Sequence, residues 1–188
     1  MKILIQERLN KIKEKINTEN FLEGKGLGNE INFHIFDYES QYELQVRAEI
    51  EKIKRNFNSD INERKIVEVD LYKLLIQIMK EEDIFESAIE MEAEEGKEEV
   101  LDAITTFITP ERYIEEIKSR INEKDVLFIT GVGKVYPFMR SHNILNNAHG
   151  IDNPVVMFYP GRYSGQDLTL FDKIKDENYY RAFPFIIE

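Results

Sequence analysis

The chain has no cysteine among its 188 residues, which excludes both a disulfide framework and a thiolate metal site. It also has no tryptophan, only five prolines and only three histidines. His34, His142 and His149 show none of the spacings of zinc sites, so structural roles are expected for them, with no metal and no cofactor. No apolar run approaches the length of a membrane span, and the first twenty residues lack the apolar core of a signal peptide. A cytoplasmic protein is therefore expected. Basic residues are in deficit, 25 against 36 acidic ones, for a net charge of −11. Without clustered Lys and Arg to neutralise phosphates, stable nucleic-acid binding by the chain alone is not expected.

The negative charge is unevenly spread. Between Glu81 and Glu99 stand ten acidic residues and one lysine, a balance of −9 that leaves about −2 for the rest of the chain. Such a run is either the solvated face of a helix or a docking surface for a basic partner. A hydrophobic content of 42% and a charged content of 32% are those of a soluble globular protein. The length suits one domain over residues 1–188 rather than two.

The stretch from Asp125 to Gly161 organises the rest. Val126 to Ile129 is an unbroken apolar run, as in a strand buried on both faces. Gly131 and Gly133 then free the backbone for a turn. Lys134, Arg140, Ser141 and His142 follow on that turn and the helix it leads into, with Pro137 at the helix start. A second apolar run, Val155 to Tyr159, closes at Pro160-Gly161. This is a βαβ unit with its polar residues at the strand ends, where ligands and partners bind in open α/β sheets.

Upstream, Ile5, Leu9, Ile12 and Ile16 form one stripe of an amphipathic helix. Gly24, Gly26 and Gly28 mark a loop, and GKGLG lacks the spacing and the lysine-serine or lysine-threonine pair of a phosphate-binding loop. Ile31 to Phe36 alternates as a strand, ending at Asp37-Tyr38-Glu39. Ser40 and Glu43 read as a capping box for a helix that turns Val46, Ile50, Ile53 and Phe57 inward. Glu43–Arg47 and Glu51–Arg55 are expected i, i+4 pairs on that helix. Asn58-Ser59-Asp60 turns the chain into a second strand over Lys65 to Leu71. Helix is then expected from Asp83 to Lys118, broken at Gly96 and at Thr109-Pro110, with Thr109 as N-cap and Ile114, Ile117 and Ile121 buried. This helical excursion, about 81–122, is longer than one crossover helix needs, which leaves a helical lobe as well as a simple crossover as readings. Arg162 to Gln166 reads as a turn, and the apolar end from Ala182 to Ile187 as a last strand on an edge of the sheet, because Pro184 cannot donate to a ladder.

Nucleophilic catalysis by Ser141 and His142, with Asp152 or Asp172 orienting the histidine, meets a geometric objection. Adjacent residues of a helix point about 100° apart. The polar set Lys134, Arg140, Ser141, His142, Asn146, Arg162 and Tyr163 is better suited to a recognition surface, Tyr and Arg being enriched at interfaces. The alternative is a nucleotide held at the 131–142 turn, with backbone N–H groups and Lys134 on its phosphates.

Four segments, FDYESQYELQVRAEI, GVGKVYPFMRSHNILNN, PVVMFYPGRYSGQDLTLF and DENYYRAF, resemble the BrxB family of bacterial BREX phage-resistance systems. They occur in family order and at family spacing, and the resemblance extends over nearly the whole chain. The resemblance implies a subunit without established catalytic activity that associates with other BREX proteins, with PglZ, an alkaline-phosphatase-like protein, as the expected partner. The assembly it implies also includes an ATPase and a DNA methyltransferase. The expected fold is α/β, a mainly parallel sheet of about five strands with helices on both faces. Its strand order is expected to resemble that of P-loop hydrolases lacking the phosphate loop. By the same resemblance, Arg47 follows the first strand where a nucleotide hydrolase carries that loop.

Overall fold

The computed structural model describes residues 4–24, 32–59, 63–176 and 182–186. At the N-terminus, α1 (Ile5–Lys15) buries Leu9 and Ile12, and Ile16 just beyond it continues the stripe. A short α2 (Glu19–Leu22) follows, its first turn capped by Thr18, which accepts from the Phe21 amide. Of the three loop glycines only Gly24 is described, with a positive φ of 62°, while Gly26 and Gly28 lie outside the described residues.

Strand β1 (Phe33–Tyr38) extends two residues past the expected end. The capping box is not made. Ser40–Tyr42 forms a 3-10 turn and α3 (Glu43–Ser59) starts at Glu43, whose carboxylate accepts from the Tyr38 hydroxyl at 2.6 Å. That buried phenol outcompetes the helix terminus for Glu43. Nor do the i, i+4 pairs form, because Glu51 turns to Lys54 at 3.0 Å. Val46, Ile50, Ile53 and Phe57 are buried as expected.

Strand β2 (Ile66–Asp70) runs directly into α4 (Leu71–Glu81), and Asp70 caps that helix by accepting from the amides of Tyr72 and Lys73. The excursion consists of α5 (Phe85–Glu94), α6 (Lys97–Phe107) and α7 (Pro110–Ser119), with breaks at Gly96 and Thr109-Pro110. Thr109 has the extended backbone of an N-cap without a side-chain cap bond. Ile114 and Ile117 are buried, and Ile121 packs partly buried against the same core.

Every residue of β3 (Val126–Thr130) is buried. Gly131 then takes a left-handed conformation, φ 75°, into the single turn α8 (Val132–Val135). Pro137 does not start a helix. It follows a cis peptide bond in the link to α9 (Ser141–Asn147). Strand β4 (Val155–Tyr163) does not close at Pro160-Gly161 but runs through them, and Gly161 to Tyr163 pair antiparallel with β5 (Leu168–Leu170). β6 (Ile174–Asp176) extends this hairpin, and β7 (Phe183–Pro184) pairs parallel with β1.

The parallel part has the order β2-β3-β4-β1-β7, which gives the expected five strands. β5 and β6 form a small antiparallel extension beyond them. β7 is on the edge, as Pro184 requires. Alternation along the strands divides the core in two. Phe36, Phe128, Val156 and Phe158 pack under α1 and α3 on one face. Ile35, Leu127, Ile129 and Met157 pack under α4, α7, α8 and α9 on the other.

Candidate functional site

All five parallel strands point the same way, so their C-terminal ends gather Asp70, Thr130, Tyr159 to Gly161 and Asp37 at one rim of the sheet. Two clefts open there. The first, of about 330 Å³, lies at the ends of β2 and β3, walled by Leu44 and Arg47 of α3 and by Lys73 and Lys134 of α4 and α8. The second, of about 460 Å³, lies at the ends of β1 and β4 between Arg8, Asp37, Arg162 and Tyr163.

In the first cleft Asp70 is the central group. Burial alone would raise its pKa, but the Lys134 ammonium and the Lys73 and Tyr72 amides outweigh it and hold the carboxyl below its ordinary value. Lys134 is thus ion-paired with Asp70. Thr130 donates to Glu68 at 2.8 Å, and Glu68 also receives Lys54 at 2.5 Å. A β-carbon on Gly131 would fall on Asp70, so this glycine keeps β2 and β3 close as well as turning the chain.

In the second cleft Asp37 joins three elements. One oxygen takes Arg8 of α1 at 2.6 Å and the other accepts from the Tyr163 amide at 3.1 Å. The Tyr163 hydroxyl reaches the Ala182 carbonyl at 2.7 Å and ties down the terminal segment. Arg162, largely exposed, pairs with Asp172 at 2.6 Å.

A cavity of about 30 Å³ between α9 and β6 is lined by Arg140, Ser141 and Asp176. It has room for one water. His142 Nδ1 is 2.7 Å from Asp176 Oδ2. The acid that orients His142 is therefore neither Asp152 nor Asp172 but Asp176, and no hydrogen bond joins His142 to the buried Ser141. A Ser-His nucleophile is not assembled. α9 ends at Asn147, before His149. Among the described residues no three His, Asp or Glu side chains converge as metal ligands, and no helix is long and apolar enough to cross a membrane.

The seven sequence-selected residues thus do not share one depression. Lys134 lines the first cleft, Arg162 and Tyr163 the second, and Arg140 and Ser141 the cavity. His142 is partly buried beside Asp176 and Asn146 is exposed on α9. Asp70, Lys73, Asp37 and Asp176 are not among the residues that sequence pattern singles out. Asp70 had a legible signal, as an Asp at the junction of a strand and a helix pattern.

Comparison with known proteins is concordant over the chain. The family model described as BREX protein BrxB matches residues 67–185. A protein of Bacillus cereus (strain H3081.97) named BREX protein BrxB is 44% identical, over 97% of each chain. One of the same name from Escherichia coli O9:H4 (strain HS) is 30% identical, over 97% of this chain and 92% of that protein. No solved structure matches. Near-full-length likeness at these identities, with a family match across β2 to β7, shows that the chain belongs to the BrxB family of BREX proteins.

Proposed function

We propose that this chain is a non-catalytic, cytoplasmic subunit of a BREX phage-defence assembly and works by association with other BREX proteins, PglZ first among them. The observation that carries the non-catalytic part is the turn between β1 and α3. Where a phosphate loop would leave the strand, the chain has Glu39-Ser40-Gln41-Tyr42, without glycine or lysine, running into Glu43. A carboxylate-flanked turn repels phosphate rather than gripping it. The 131–142 turn supports a nucleotide no better, since Lys134 is engaged by Asp70 and α8 is a single turn.

The test is co-expression of the tagged chain with its BREX neighbours, followed by affinity purification at physiological salt. PglZ is expected in stoichiometric amount. Recovery of the tagged chain alone, together with turnover of ATP or GTP by the purified chain, would replace this reading with the enzymatic one.

A further inference from the structure

The cleft at the ends of β2 and β3 retains binding capacity that the fold leaves unused. Its four carboxylates are all engaged within the chain. Glu43 accepts from Tyr38, Glu51 and Glu68 take Lys54, and Asp70 takes Lys134 and two amides of α4. The Arg47 and Lys73 side chains, on different walls, make no hydrogen bond or contact ion pair with any described residue, although the Lys73 charge, after that of Lys54, helps hold the Glu51 carboxyl below its ordinary value. Both are donor-only groups with hydrogen-bonding capacity that a carboxylate brought by a partner would fill.

Beside them stands Leu44, 77% exposed on a helix whose Val46, Ile50, Ile53 and Phe57 are all buried. An exposed leucine next to an arginine without an ion pair, both lining a cleft of about 330 Å³, sets apolar surface beside a charge that can choose the partner. The negative excess of the chain does not oppose this, because most of it resides between Glu81 and Glu99 on α5, α6 and their flanks.

We propose that this cleft is the docking site for an acidic segment of the protein partner, with partner carboxylates on Arg47 and Lys73 and an apolar partner side chain over Leu44. The inference rests on the association reading above and adds where the partner sits and what chemistry it presents. A polypeptide fits better than a nucleotide triphosphate for two reasons. Leu44 offers apolar contact in the lining, and the four carboxylates there repel the concentrated charge of a triphosphate more than separate carboxylates that each sit on a cation.

The experiment uses the full chain co-expressed with PglZ. Three forms are compared with the wild type: Arg47→Glu with Lys73→Glu, Leu44→Ser, and Arg140→Glu with Arg162→Glu. All five positions are exposed, so melting temperatures close to wild type are expected. The first two forms should bind PglZ about tenfold or more weakly, since like charges or a lost anchor replace the fit. The third should bind as wild type. Full binding by the first two forms, or loss confined to the third, overturns the inference while leaving the association reading standing. A wild-type chain that captures no PglZ overturns both. Stabilisation of the wild type by ATP that is abolished in Arg47→Glu with Lys73→Glu would assign the cleft to a nucleotide and likewise overturns the inference.

Discussion

His34 lies on β1 against the rings of Phe21 and Phe185, with centroids 5.3 and 5.6 Å away, and near Phe183. Burial, and then the nearby Lys15 charge, lower its pKa from 6.5 to about 4, against the opposing pull of two backbone hydrogen bonds. The folded state therefore holds it neutral. As pH falls through 6.5 the unfolded chain takes up a proton that the folded chain refuses until about pH 4. Stability drops across that window, by about 3 kcal/mol at its lower end. Melting curves at pH 7 and 4.5 should show a smaller acid loss for His34→Phe than for the wild type. Equal losses would mean that His34 is not neutral in the fold. Gly161 gives a second residue-scale outcome. A β-carbon there would fall on the Thr169 carbonyl of the paired strand, so Gly161→Ala should lower the melting temperature sharply, whereas Gly165→Ala, with open space around it, should cost about 1 kcal/mol from its positive φ alone. Pro-Gly ordinarily terminates a strand, so local pattern places the end of β4 at Gly161. Its use inside β4 depends on its partner Leu170, nine residues away in β5, which local pattern does not reveal. His142 is similar, since its partner Asp176 is 34 positions on.

Elements with regular periodicity were readable. The stripe of α1, the inward row of α3 and the all-apolar β3 follow from spacing alone, because burial on one face or on two imposes it. The breaks at Gly96 and Pro110 were readable too, through residues that helices reject. Less readable were the ends, where side chains compete for the same partner, as Tyr38 does for Glu43. Two elements lead to measurable contrasts. α5 has no buried side chain and leaves Ile89 half exposed, while its flanking acids include like charges at i, i+4 spacing, Glu82 with Glu86, Glu86 with Glu90 and Glu90 with Glu94. Its amides should exchange with deuterium much faster than those of β3. Protection of α5 equal to that of β3 in the isolated chain would contradict this. The terminal segment behaves in the opposite way. Phe185 is fully buried and its amide bonds to Ile35 at 2.8 Å. Phe185→Ala should cost about 3–5 kcal/mol, as for other buried aromatics. A melting temperature within a degree or two of wild type would make this segment a loosely attached peptide instead.

Over the whole molecule, charge and apolar surface are segregated. The parallel sheet is covered on both faces, the acidic excess lies on the helical excursion, and the unpaired cations Arg47 and Lys73 stand at the strand ends. The candidate site was only partly legible beforehand, because its walls come from α3, α4 and the turn after β3, and only folding joins Arg47, Lys73 and Lys134. With so few clustered cations, the chain alone should not retard duplex DNA at physiological salt. A shift with steep salt dependence would require a direct DNA role. Association without catalysis is open to calorimetric titration of purified PglZ into the purified chain, with ATP hydrolysis followed in parallel on the chain alone. Saturable heat at a defined stoichiometry, unchanged by ATP and without turnover, is the expected result. Absence of binding heat together with ATP turnover that Lys134→Ala abolishes would contradict it.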